Sequence, residues 1–193
     1  VGCTYKYLNG GPGAPAFIWT NPRLADQAQP ILQGWMGHAA PFAFEQSYHP
    51  AQGIERMRVG TPPVIAMTAL DAALDVWDGV EIADLRARSI ELTEAFIAGV
   101  EANCPDLVLN SPRDPAHRGS QVSFRHPQGY AIMQALIAEG VIGDFRAPDV
   151  LRFGFAPLYN DRDDVSQAVA VLGEILRNSS WDRPEFHQKS AVT

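Results

Sequence analysis

Lys6 is one of only two lysines in the 193-residue chain, and it sits among aromatics and glycines in the run Thr4-Tyr5-Lys6-Tyr7-Leu8-Asn9-Gly10-Gly11-Pro12-Gly13. An amine pressed between tyrosines and a tight turn is expected to be partly desolvated, and burial lowers a lysine's pKa toward the nucleophilic free amine. A neutral amine condenses with a carbonyl to give a Schiff base. The glycines let backbone approach a bulky ligand and leave N–H groups to face an anion such as a phosphate. An amine beside a phosphate cradle suggests pyridoxal phosphate as the cofactor. The other lysine, Lys189, stands in a polar tail and is a poor competitor for this chemistry.

A second charge in an unusual place is Arg152, among Val150, Leu151, Phe153 and Phe155. A guanidinium in such a strand calls for an anion, preferably a bidentate one. Two partners satisfy that demand equally on sequence grounds: a bound carboxylate, or a neighbour of an edge-strand arginine, Asp144 or Asp149. His38 is open between a pocket wall and a satisfied structural histidine, and Arg118-Gly119-Ser120 reads as a turn entering a strand. The five histidines show no spacing that places two on one helical face, and no cysteine pair stands near them, so no metal site is expected.

Composition narrows the classes. A formal charge of −7 argues against nucleic acid or an anionic membrane as partner, since both demand a basic patch. The arginines are scattered, and no apolar run approaches the ~20 residues of a membrane-spanning helix. Cys3 and Cys104 lie far apart in a chain without a secretory signal, which implies reduced thiols in a cytoplasm and a soluble protein. The 46% hydrophobic fraction is ample for a packed core.

The elements that must position Lys6 and Arg152 follow from periodicity. Residues 16 to 20, apolar and rich in β-formers, predict a buried strand, and residues 28 to 60 an extended connection of the kind that carries function. Thr61 before Pro62-Pro63 predicts a helix to about residue 77 with threonine as N-cap, and an inward stripe of Ala66, Leu70, Ala73, Leu74 and Trp77. A second helix is expected over 82 to 103, with Leu85, Leu92, Phe96 and Val100 inward. A lobe boundary is expected near residue 80. Beyond it, strands at 106 to 110, 120 to 125, 141 to 145 and 150 to 155 alternate with helices at 127 to 139 and 162 to 177, the last seamed by Val165, Val169, Leu172 and Leu176. Residues 178 to 193 turn polar and proline-broken.

The Tyr5-to-Gly13 run, then Gly34-Trp35-Met36-Gly37-His38, Gly60-Thr61-Pro62-Pro63 and Leu151-Arg152-Phe153-Gly154-Phe155-Ala156-Pro157-Leu158-Tyr159-Asn160, resembles kynureninase in order and spacing across the whole chain. The resemblance implies an α/β protein of the fold type I, aspartate aminotransferase-like class of pyridoxal-phosphate enzymes. Residues 1 to 80 would be the C-terminal part of the cofactor-binding large domain and residues 81 to 193 the small α/β domain. The implied reaction is hydrolytic Cβ–Cγ cleavage of L-kynurenine, or its 3-hydroxy derivative, to anthranilate or 3-hydroxyanthranilate and L-alanine, a step of tryptophan catabolism and NAD biosynthesis.

By the same resemblance Lys6 is the Schiff-base residue and proton carrier, and Tyr5 bonds the cofactor phosphate and helps in protonation. Trp35 and Thr61 contact that phosphate, and Arg152 grips the substrate α-carboxylate. Tyr7 and Asn9 would shape the turn. Many members carry asparagine and phenylalanine where Thr61 and Met36 stand here. The family also implies a homodimer with shared sites, to which the Trp35 loop contributes across the interface. Its Schiff-base lysine lies mid-chain, so a chain with that lysine at position 6 reads as a C-terminal portion, inactive without an N-terminal half. The rival readings are a cysteine desulfurase or aminotransferase relative, with Cys104 an unconvincing nucleophile, and a non-catalytic dimerisation module.

Overall fold

The computed structural model describes residues 1–188, so Lys189 lies outside the described residues. The chain divides into two compact units, Val1–Asp78 and a second that begins at Gly79.

In the first unit regular structure is sparse. Strands β1 (Gly2–Cys3) and β2 (Ala16–Phe17) pair antiparallel, with Gly2 opposite Phe17. The buried strand expected over 16 to 20 is thereby corrected, because two residues form strand and Phe17, Ile18 and Trp19 are exposed. β-Forming residue types supply the tendency, but burial comes from neighbours, and β1 alone covers too little of β2. Helix α1 (Pro22–Ala25) starts at Asn21, whose side chain accepts the Arg23 N–H.

Helix α2 (Val64–Leu74) runs into a 3₁₀ turn, Asp75–Trp77. Its N-cap is Pro63, with no side-chain cap bond, which corrects the assignment of that role to Thr61. Each proline biases the residue before it toward extended backbone, so the tandem pair holds Thr61 and Pro62 out of the helix. Ala66, Leu70, Ala73 and Trp77 are half-buried along the expected stripe, while Leu74 is exposed. Between the helices the chain makes 3₁₀ turns at Trp35–Gly37 and Gly53–Met57 and a single bridge from His38 to Pro50.

The second unit opens with α3 (Ile82–Asn103), whose Leu85, Leu92, Phe96 and Val100 are buried as the spacing predicts. Then come β3 (Val108–Leu109), β4 (Gln121–Arg125), α4 (Gly129–Ala138), β5 (Asp144–Arg146), β6 (Val150–Gly154), α5 (Arg162–Arg177) and α6 (Pro184–His187). The strands form one antiparallel sheet in the order β3-β4-β6-β5. Strand β5 starts later than expected because α4 ends on Gly140 at φ +85°, and the Val141 N–H turns back to the Leu136 carbonyl. Helix α5 begins at a capping box in which Asp161 and Asp164 each accept from the other's end of the turn. Helix α6 falls in the tail that composition marked as irregular.

Alternation along the strands sorts the sheet into two faces. Val122, Phe124, Phe145, Leu151 and Phe153 join the helices in the core, around Phe96, whose ring lies 4.9 Å from Phe153 and 5.3 Å from Phe155. The alternate residues Ser123, Arg152 and Asp144 are direct cross-strand neighbours in one row on the other face. Among the described residues no helix is long and apolar enough to cross a membrane. Both cysteines are free thiols, Cys3 exposed and Cys104 buried.

Candidate functional site

Three backbone bonds close the turn around Lys6. The carbonyls of Thr4, Tyr5 and Lys6 accept from the N–H groups of Gly10, Gly11 and Asn9 at 3.0, 3.2 and 2.9 Å. Asn9 takes φ +62° and Gly11 φ +73°, the left-handed region that such a return demands. At Gly10 a Cβ would stand 2.9 Å from the Thr4 carbonyl oxygen and 2.8 Å from the Ala14 methyl, so only glycine fits without a shift. Thr4 is buried beneath, its hydroxyl donating to the Pro15 carbonyl at 2.5 Å.

Two expectations are corrected here. Lys6 is exposed, not desolvated; its Nζ stands 5.1 Å from the centroid of the Tyr5 ring, itself 42% exposed. The turn consumes the N–H groups of Asn9, Gly10 and Gly11 internally, so they form no phosphate cradle. The glycines serve closure of the turn. Tyr7 leans on Trp77 with ring centroids 6.1 Å apart, in keeping with a shaping role.

Trp35 is placed by backbone packing. A Cβ on Gly34 would land inside the Val59 carbonyl group, and one on Gly37 would come within 2.5 Å of the Arg58 oxygen. The segment at 34 to 37 therefore lies flush along residues 56 to 59, and Tyr48 pins it by donating to the Gly37 carbonyl at 3.0 Å. This contact brings the Trp35 indole nitrogen within 4.0 Å of a Cβ position on Gly60, next to Thr61. The indole nitrogen thus approaches the residue before Thr61, and Trp35 is 47% exposed. Gly34→Ala must push the two backbones apart; it is expected to destabilise the first unit by about 1–3 kcal/mol and to shift Trp35 fluorescence, measured by urea unfolding.

Sequence reasoning missed the staple behind this arrangement. Arg56 is buried and donates to the carbonyls of Ala51, Asp26 and Ala28 and to the Asp26 carboxylate at 3.0 Å. Nothing in its spacing marks it, because apart from Ala51 its partners, Asp26 and Ala28, lie 30 and 28 residues away. His38 makes two local bonds and also lines a cavity with Trp35: its Nδ1 accepts the Ala40 N–H at 2.9 Å and its Nε2 lies 3.2 Å from the Ser47 carbonyl.

Arg152 stands on β6, an interior strand, not the edge strand of the alternative reading. It faces away from the core, which explains how an apolar strand accommodates a guanidinium. Its Nη2 donates to the Asp144 carboxylate, and its Nε is buried without a hydrogen-bond partner. Asp144 also lies 3.4 Å from Arg146, while Asp149 pairs with Arg125 at 3.2 Å. On and beside this face three guanidiniums meet two carboxylates, which leaves one positive charge over in a chain of net −7.

Arg118, assigned no role from sequence, is the buried clamp of the second unit. Its side chain is 2% exposed and donates to Glu94, to Thr93 and to the carbonyls of Pro112 and Arg113. Among the described residues no group of three His, Cys, Asp or Glu side chains is placed to hold a metal ion.

A family model described as the kynureninase C-terminal domain matches residues 85–172. Kynureninase of Pseudomonas fluorescens is 48% identical over 195 aligned residues, covering 100% of this chain and 47% of that protein. This chain is similar to kynureninase along its whole length. The kynureninase of Burkholderia pseudomallei strain K96243 is 50% identical over the same span, again 47% of its length, so the chain covers about half of the curated relatives it matches. Among solved structures, the apo cysteine desulfurase of Thermococcus onnurineus NA1 superposes with a TM-score of 0.67 at 18% identity, over 87% of this chain and 45% of that one. The cystine C–S lyase C-DES, solved with its product cysteine persulfide, gives 0.70 at 20%, over 84% and 43%. This chain thus has the α/β structure of fold type I pyridoxal-phosphate enzymes over part of their chain.

Proposed function

We propose that the chain is the C-terminal half of a pyridoxal-phosphate enzyme that hydrolyses L-kynurenine, or its 3-hydroxy derivative, to the anthranilate and L-alanine. The observation that carries this reading is the kynureninase likeness along 100% of the chain at about half identity. The residues fit the cofactor: an exposed Lys6 beside the Tyr5 ring, and an exposed Trp35 whose indole nitrogen approaches Gly60, the residue before Thr61. The remaining donors and the ring contacts would come from an N-terminal half and a second copy of the chain, in a cytoplasmic homodimer.

When bound, the cofactor supplies the electron sink for cleavage of the Cβ–Cγ bond. Lys6 holds the cofactor through its amine and carries the proton at the substrate Cα. Tyr5, Trp35 and Thr61 donate to phosphate oxygens, with Tyr5 also a proton donor. Arg152 takes the α-carboxylate and so fixes which substrate bond faces the cofactor. Water contributes its hydroxyl to the aryl carbonyl carbon and its proton to Cβ, which yields an acid and alanine.

A desulfurase needs a thiolate. Burial raises the pKa of the Cys104 thiol, the reverse of what a nucleophilic cysteine requires. The test is borohydride reduction of the full-length protein, followed by peptide mass spectrometry and turnover assays. A pyridoxyl adduct on the Lys6 peptide with anthranilate release from kynurenine is expected. An unlabelled Lys6, or sulfide release from cysteine in place of kynurenine turnover, overturns the reading.

A further inference from the structure

We infer that Asp144 is a positioning residue, which holds the Arg152 guanidinium aimed outward from the sheet to receive the substrate α-carboxylate. The inference rests on the Arg152 role proposed above and adds a second residue to it. Asp144 is the direct cross-strand partner of Arg152, β5 against β6, so the backbone ladder itself sets their separation. The carboxylate takes Nη2 alone and leaves Nε buried without a partner. The side chain stays 28% exposed, so a guanidinium bonded to Asp144 through Nη2 alone keeps outward donors for a second carboxylate.

Charge bears on this as well. If Asp144 served Arg152 alone the pair would be neutral and would attract no anion. Arg146 shares the same carboxylate at 3.4 Å, so the trio keeps a net positive charge while Arg152 stays tethered. Ser123, the neighbour of Arg152 on the opposite side, is engaged elsewhere: Asn110 donates to its hydroxyl at 3.2 Å and Ser111 lies 3.1 Å from it. Of the two side chains flanking Arg152 in its row, Asp144 is the one that bonds it. A tethered arginine loses less conformational freedom on binding than a mobile one, which is the physical content of preorganisation.

The test is steady-state kinetics of Asp144→Ala in the full-length protein, alongside inhibition by kynuramine, which is kynurenine without its α-carboxylate. KM for kynurenine is expected to rise about tenfold, with kynuramine inhibition unchanged within about twofold and no additional effect when Arg152→Ala is already present. An unchanged or lowered KM overturns the proposal, and so does equal weakening of both ligands, which would mark a general structural role. Should Asp144→Ala fail to fold, Asp144→Asn, which keeps an acceptor, is compared through the same pair of ligands; a KM rise confined to kynurenine is again required. Failure of the underlying reading is separable, because Arg152→Ala alone would then leave KM unaltered.

Discussion

Lys6→Ala in the full-length protein is expected to lower kynurenine turnover by at least about a thousandfold, since in the proposed function it removes both the covalent anchor of the cofactor and a proton carrier. The loss should fall on kcat, and borohydride should no longer fix a pyridoxyl group to this part of the chain. Stability should hardly move. Lys6 is exposed, and the turn that presents it is closed by backbone bonds from residues 4 to 6 to residues 9 to 11, which alanine leaves in place. A change in unfolding free energy within about 0.5 kcal/mol is therefore expected, as for surface substitutions in general. That separation gives the experiment its force: an inactive, normally folded variant assigns chemistry to the amine, whereas a variant with full activity returns the chain to the reading of a binding module. Anthranilate fluorescence follows the turnover, and urea unfolding follows the fold.

The second unit was the more legible half of the fold, for reasons visible in particular residues. The bounds expected for α3 and α5 agree with Ile82–Asn103 and Arg162–Arg177, because long apolar stripes are local signals. The first unit is organised by contacts that no local window contains. Gly34 lies against Val59 and Arg56 reaches Asp26, pairs separated by more than twenty residues, so the exposure of Phe17 to Trp19 is not legible locally, whereas the cap at Pro63 follows from the tandem prolines themselves. At the candidate site, residue type flags Lys6 and Arg152, since one of only two lysines and an arginine in an apolar strand stand out in the sequence. Their surroundings were another matter. The burial expected of Lys6 depends on what packs over it, and the choice between Asp144 and Asp149 as the partner of Arg152 depends on strand register, which spacing alone left open. Arg118 gave no sign, because Glu94 and Thr93 meet it only once α3 lies beside the loop that follows β3.

Arg152→Ala is expected to lower kcat/KM for kynurenine by about a thousandfold, roughly 4 kcal/mol, the range for removing one partner of a desolvated charge pair. Arg152→Lys separates charge from shape. Lysine keeps a positive charge but not the planar fork, and it cannot bond Asp144 and a second carboxylate in the same plane. It should therefore recover only part of the loss, with KM still raised. The fold is expected to tolerate either change, because Arg152 lies outside the core and its partner Asp144 keeps Arg146 at 3.4 Å as a counter-charge. The decisive comparison is again with kynuramine: Arg152→Ala should bind it as the parent protein does. An arginine whose purpose was to hold β5 against β6 would give a different pattern, with lowered stability and both ligands weakened alike. What makes the first pattern the expected one is that Asp144 takes Nη2 alone while the Arg152 side chain remains 28% exposed, so donors stay open to a second carboxylate.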